Sequence, residues 1–317
     1  MTPTARGPVM LDVEGLELTA ADRERVAHPL VGGVILFSRN YADPAQLAAL
    51  IASIRAVREP PPIVAVDHEG GCVQRFRAAF TAIPPMRLLG ESWDRDVAQA
   101  AREAEALGRT IAGELRPLAI DFSFTPVLDL DYGSSAVIGD RAFHRNTNAV
   151  AHLATALRRG LNAGGMAAVG KHFPGHGFVA ADSHTDVPVD DRPMAAIAAG
   201  DLVPFGALVH GGLEAIMPAH VIYPEVDAKP AGYSRVWLQE ILRGRLKFDG
   251  MIFSDDLGMA GAHTAGDIVA RAEAAVEAGC DVVLVCNDPA AADDLLSRWT
   301  PAPQASLARR WARMAGR

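Results

Sequence analysis

Short apolar runs rich in β-branched residues alternate along the chain with longer amphipathic or alanine-rich segments. Eight such runs stand out: Val9–Val13, Gly33–Phe37, Ile63–Val66, Phe122–Leu128, Ala167–Val169, Ala215–Met217, Met251–Phe253 and Val282–Val285. Their length and composition read as buried strands. The segments between them have helical length and periodicity, notably Pro44–Arg58, Trp93–Leu115, Thr147–Ala163, Met194–Val209, Ser234–Leu246 and Ala265–Ala278. Start and stop signals support these helices. Asp43-Pro44 is an N-cap followed by proline at the first helical position. Ser234 opens a helix with Leu238 and Leu242 on one face. Gly160, Gly164 and Gly279 stand where helices are expected to end. Strand–helix alternation repeated eight times predicts a single-domain (β/α)8 barrel over residues 1–317. A doubly wound open sheet is the competing arrangement, but no Gly-x-Gly-x-x-Gly follows the first run.

The polar residues sharpen this picture. Asp67-His68-Glu69-Gly70-Gly71 follows the third run. Asp129, Asp131 and Gly139-Asp140-Arg141 follow the fourth, and His220 follows the sixth. Ser254-Asp255-Asp256 follows the seventh. The fifth run leads into Lys171-His172-Phe173-Pro174-Gly175-His176-Gly177 and then Asp182-Ser183-His184. Its glycines and proline read as a loop rather than a continuing element. A barrel brings all these strand ends to one face, where chemistry is placed.

Composition changes the picture mainly by exclusion. The 317 residues carry a formal net charge of −8 and no basic cluster, which argues against a nucleic-acid partner. Three cysteines, Cys72, Cys280 and Cys286, lack the spacing of a disulfide framework and suggest a reducing compartment. No basic stretch followed by an apolar run opens the chain, and no apolar run reaches membrane-spanning length. The expectation is a soluble, cytoplasmic protein without a membrane partner.

Each polar cluster has a bland reading beside a chemical one. Asp255 and Asp256 could cap the following helix, or one of them could be a catalytic carboxylate. Alternation along a strand lets only one of the two face a pocket, and leaves open which. Asp182 and His184 could lie in a solvated turn, or form a carboxylate–imidazole pair suited to proton transfer. His172, His176 and His184, with Asp182 or Asp255, could instead hold zinc, although Pro174 and Gly175 break the helix that would align the first two. Asp67, Arg75 and Arg141 could be surface ion pairs. In a pocket, with Lys171 and His172, they would suit a small neutral ligand rich in hydroxyls.

Taken together, the motif from Lys171 to His184 resembles the signature of glycoside hydrolase family 3, and within it the bacterial β-N-acetylhexosaminidases of peptidoglycan recycling. Val66-Asp-His-Glu-Gly-Gly, Thr125-Pro-Val-Leu-Asp129, Ile138-Gly-Asp-Arg-Ala-Phe143, Asp201-Leu-Val-Pro-Phe205 and Phe253-Ser-Asp-Asp-Leu257 match the family in its own order. Cys72 stands where the family more often has arginine, His68 where glutamine is usual, and Gly258 where serine is common.

The resemblance implies roles for these residues. Asp255 falls on the nucleophile, His184 on the proton donor and acceptor, and Asp182 on its orienting partner. Asp67, Arg75, Arg141, Lys171 and His172 fall on positions that hold the sugar, with His176, Asp256 and Met217 as secondary candidates. The implied activity is a retaining exo-β-N-acetylglucosaminidase (a β-N-acetylhexosaminidase) acting on muropeptides through a covalent glycosyl-enzyme. It needs no metal or cofactor, and a monomer is expected. Another exo-β-glycosidase of the family, such as a β-glucosidase, is the nearest alternative; a metal-dependent barrel hydrolase is more remote.

Overall fold

A computed structural model describes residues 6–316 except 182, 184 and 185. Eight strands form its central sheet: β1 (Val9–Leu11), β2 (Val31–Leu36), β3 (Ile63–Val66), β4 (Phe122–Ser123), β5 (Val169–Phe173), β6 (Ala215–Pro218), β7 (Met251–Asp256) and β8 (Val282–Val285). All pair in parallel, in the order β4-β3-β2-β1-β8-β7-β6-β5. Two single parallel bridges, Phe122 to Ala167 and Val127 to Lys171, join the two ends of that row. The sheet is therefore a (β/α)8 barrel, and each predicted apolar run contributes one strand.

The core fills the barrel and the layer between strands and helices. Inside, Phe122, Phe124 and Phe253 pack ring to ring at centroid distances of 5.0–5.4 Å. All three are fully buried. The C-terminal helix Leu307–Met314 lies beneath the amino ends of the strands. Its Trp311 Nε1–H donates to the carbonyl of Gly7 at 3.0 Å, and its ring packs against Phe253 at 5.8 Å.

Several boundaries differ from the sequence expectation. Lys171 and His172 belong to β5 rather than to a loop. Segment 125–128 lies alongside and absorbs their backbone groups: Lys171 N–H donates to Pro126 O, and Leu128 N–H to Lys171 O. The expected strand Phe122–Leu128 pairs regularly only over its first two residues. The expected helix Met194–Val209 splits into Met194–Ala199 and Leu202–His210. At the break, the buried Asp201 accepts hydrogen bonds from Tyr132 and Arg192. Trp93–Leu115 likewise divides at Asp96, whose side chain caps the helix Val97–Leu115. Ser234 does cap its helix, accepting from Trp237 N–H, but Val236–Arg245 is wound as a π-helix.

Gly164 and Gly279 end their helices as expected, whereas Gly160 lies inside Thr147–Ala163. It is there for close approach. A Cβ on Gly160 would sit 2.0 Å from the carbonyl oxygen of Glu105 on the neighbouring helix, and one on Gly108 would sit 2.2 Å from that of Leu157. Two helices thus cross backbone to backbone. Among the described residues, no helix is long and apolar enough to cross a membrane.

Candidate active site

A cavity of about 650 Å³ opens at the carboxyl ends of the strands. Asp67, Arg75, Arg141, Lys171, His172, His176, Met217, Asp255 and Asp256 all line it. The barrel thus gathers residues that are up to 189 positions apart, since Asp67 and Asp256 share one wall-to-wall space. Asp182 and His184 lie outside the described residues. Ser183, between them, is buried and lines the cavity.

Backbone irregularities at two strand ends aim the side chains. On β7, Phe253 pairs with Val282 and Asp256 with Leu284, so three steps on one strand match two on the other. A bulge of this kind interrupts the alternation of faces and re-aims side chains near barrel rims. Asp255 and Asp256 consequently both face the cavity, contrary to the expectation that only one could. The same occurs on β5, where Lys171 pairs with Met217 and Phe173 with Pro218. Lys171 and His172 then both reach the cavity.

The two carboxylates of β7 differ in surroundings. Asp256 Oδ1 accepts from Gly258 N–H at 2.9 Å and from Cys286 N–H at 3.1 Å, tying β7 to β8. Although the residue is only partly buried by area, loss of solvent around its carboxyl raises its pKa to about 7, and the neighbouring Asp255 charge adds to this. Asp255 is held by the N–H of Asp256 at 2.8 Å. Behind them, the buried His220 donates from Nε2 to the Asp256 carbonyl at 3.0 Å.

Across the ring, near β3 and β5, a charged network covers the wall. Lys171 Nζ lies 2.8 Å from Asp67 Oδ1 and 2.6 Å from Glu69 Oε1. Arg141 grips Glu69 with two parallel bonds of 2.9 Å, from Nε to Oε2 and from Nη2 to Oε1. Arg75 reaches Asp67 Oδ2 at 3.3 Å and lies over the ring of Phe37. Burial pushes both carboxylates up, but the surrounding cations outweigh it and hold Asp67 and Glu69 below the ordinary range. Burial likewise pushes Lys171 down, and the charges of Asp67 and Glu69 reverse this, so the ammonium stays protonated.

Asp129 organises the histidines. It is buried, and it accepts from His176 N–H at 2.7 Å and from His172 N–H at 3.2 Å. Its Oδ2 lies 2.7 Å from His172 Nδ1. Burial alone raises the Asp129 carboxyl, yet the charge and hydrogen bond of His172 leave it below the ordinary value. An ionised carboxylate only accepts, so His172 Nδ1 carries a proton and Nε2 is left for the cavity. His176 Nε2 lies 3.0 Å from Ser183 Oγ, and Ser183 O accepts from Gly261 N–H at 3.0 Å.

Glu69 and Asp129 also join this network, although reading by residue type had left them without a role. Their signal was present, since each is an acid within three residues of the end of an apolar run. What the sequence does not carry is which side chain each one faces. Among the described residues, no group of three or more His, Cys, Asp or Glu is arranged to hold a metal ion. Cys280 and Cys286 are buried, Cys286 with an edge on the cavity, while Cys72 is exposed at its rim.

The arrangement is therefore a pair of carboxylates facing a wall of fixed donors and acceptors, suited to a polyhydroxylated ligand. The chain is similar to known proteins in sequence and fold. The profile described as glycosyl hydrolase family 3 N terminal domain matches residues 9–313. A β-hexosaminidase of Chromobacterium violaceum is 59% identical over 98% of this chain and 87% of its own length. One from Methylobacillus flagellatus is 60% identical over 98% and 89%. The crystal structure of NagZ from Neisseria gonorrhoeae in complex with N-trifluoroacetyl-D-glucosamine superposes with a TM-score of 0.94 at 51% identity, covering 98% of this chain and 91% of that one. From its sequence, its barrel and its relatives alike, the chain belongs to glycosyl hydrolase family 3.

Proposed function

We propose that this β-N-acetylhexosaminidase removes terminal non-reducing N-acetylglucosamine from peptidoglycan-derived muropeptides, with retention of configuration. Asp255 attacks the anomeric carbon while protonated His184, oriented by Asp182, donates to the leaving oxygen. A covalent glycosyl-enzyme forms, and water deprotonated by His184 then releases the sugar. Asp67, Arg75, Arg141, Lys171 and His172 hold the sugar hydroxyls. His176, Asp256 and Met217 complete the cavity around them. The chain acts as one catalytic domain over residues 1–317, as a monomer, in the cytoplasm, and without a metal or cofactor.

The observation that carries this reading is Asp255, presented by the β7 bulge into a cavity whose far wall is the Asp67–Lys171–Glu69–Arg141 network. A carboxylate so placed meets the anomeric face of a sugar gripped by the opposite wall. The test is to trap the glycosyl-enzyme with a slow fluorosugar and map the modified peptide. The adduct is expected on Asp255, and Asp255→Asn should abolish turnover while leaving the thermal transition unchanged. An adduct elsewhere overturns the assignment. In the same kinetic panel, His184→Ala should lose far more activity on poor leaving groups than on activated aryl glycosides; an equal loss on both removes the acid role.

A further inference from the structure

We infer that Glu69 is a positioning residue of this site, fixing the directions in which Lys171 and Arg141 present their N–H groups to the sugar. The inference rests on the proposal that these two cations contact the substrate. Glu69 is 2% exposed, and both its oxygens are taken. Oε1 accepts from Lys171 and Arg141, and Oε2 from Arg141. No other carboxylate bridges the two cations among the described residues.

The geometry explains what this does. A lysine ammonium on a flexible stem has no preferred direction of its own. Here Nζ is clamped between Asp67 and Glu69 at 2.8 and 2.6 Å, which aims its remaining N–H. The guanidinium is held along its Nε edge by Glu69, and Nη1 donates to Val137 O at 3.1 Å. Its plane is thereby fixed, with one further N–H on each terminal nitrogen. A rigid fork loses less freedom when it binds.

Charge points the same way. The cluster holds three cations, Lys171, Arg141 and Arg75, against two anions, Asp67 and Glu69, for a net of +1. Without Glu69 it would stand at +2 in the same cavity as an anomeric centre that becomes positive in the transition state. A purely structural role is a poor explanation. Buried ion pairs contribute little net stability over apolar residues of similar volume, and this one lies at the cavity wall rather than in the barrel core.

The experiment measures kcat and KM of the full chain on an aryl N-acetylglucosaminide across pH. Glu69→Gln preserves shape and removes charge. KM should rise on the order of tenfold to a hundredfold, the range for a lost charge-assisted hydrogen bond. The alkaline limb of kcat/KM should move to lower pH as Lys171 loses a stabilising anion. Glu69→Asp, which keeps the charge, should restore the alkaline limb while KM stays raised, because one carboxylate on a shorter stem cannot meet both cations. Lys171→Met and Arg141→Ala run in parallel. If neither raises KM, the sugar-contact reading fails. If both do while folded Glu69→Gln binds and titrates like the native enzyme, the positioning role fails alone. Should Glu69→Gln not fold, a native KM for Glu69→Asp overturns the role. In the Arg141→Ala background the Glu69→Gln effect should shrink; full additivity also overturns it.

Discussion

His68 is fully buried, and neither of its ring nitrogens has a hydrogen-bond partner among the described residues. It packs against Phe76 and Phe80 at centroid distances of 6.0 and 5.7 Å. Burial, reinforced by the nearby charge of Arg77, lowers its pKa to about 4. The folded state therefore accepts this proton less readily than the unfolded chain. Stability from the neutral ring is complete above about pH 6.5 and is lost as pH falls from there through 4. Between pH 7 and 4.5 the native protein should lose about 2–3 kcal/mol through this one residue. Urea midpoints at the two pH values check it: His68→Gln should lose less than the native chain over that interval, and identical losses sink the idea. Residue type offered Lys171, Arg75, Arg141 and His172 for a pocket and left Asp255 and Asp256 open, the family resemblance choosing Asp255; all of them line the cavity. It could not show that both neighbouring acids face inward, because a bulge is a property of two paired strands and only one is read at a time.

At the level of elements, caps and glycines were the most legible signals. Asp43 caps the helix Pro44–Arg55 through its carboxylate, as the Asp-Pro pair predicts. Helix interiors were less so. The split at Gly200-Asp201 depends on Arg192 and Tyr132 finding Asp201, a tertiary contact with no local signature. Gly160 was mistaken for a terminus for the same reason, since a crossing contact with Glu105 looks like a stop in one dimension. The two helices at that crossing supply a paired test. Gly160→Ala must push the helices apart, at about 1–3 kcal/mol, more than the roughly 1 kcal/mol of helix propensity it gains. Gly113, on the helix Val97–Leu115, has nothing within 4 Å of a new Cβ. Gly113→Ala should stabilise by about 0.5–1 kcal/mol. Denaturant midpoints that move the same way for both variants would show that the crossing is not tight.

Over the whole molecule, the alternation of apolar runs disclosed the barrel because each strand is buried on both faces and reads as an unbroken run. The closure at β4 and β5 was less visible, since only single bridges join that edge. The underside of the barrel was not legible either. Trp311 sits in a helix whose apolar positions fit any packed surface, and nothing local ties it to Gly7. It is fully buried beside Phe253. Trp311→Ala should cost about 3–5 kcal/mol and lower the melting temperature while KM stays native, because the lost ring is at the end of the barrel remote from the cavity. A raised KM at unchanged stability would contradict that division between floor and mouth.

The bond from Trp311 to Gly7 spans 304 positions, and it orders events at birth. At roughly 5–20 residues per second of synthesis, the Gly7 carbonyl waits on the order of tens of seconds for its partner to be made. Through most of that interval β7 and β8 are unmade as well, so the nascent sheet can neither close nor be stoppered from below. A stretch made late thus corks the vessel that an early one began.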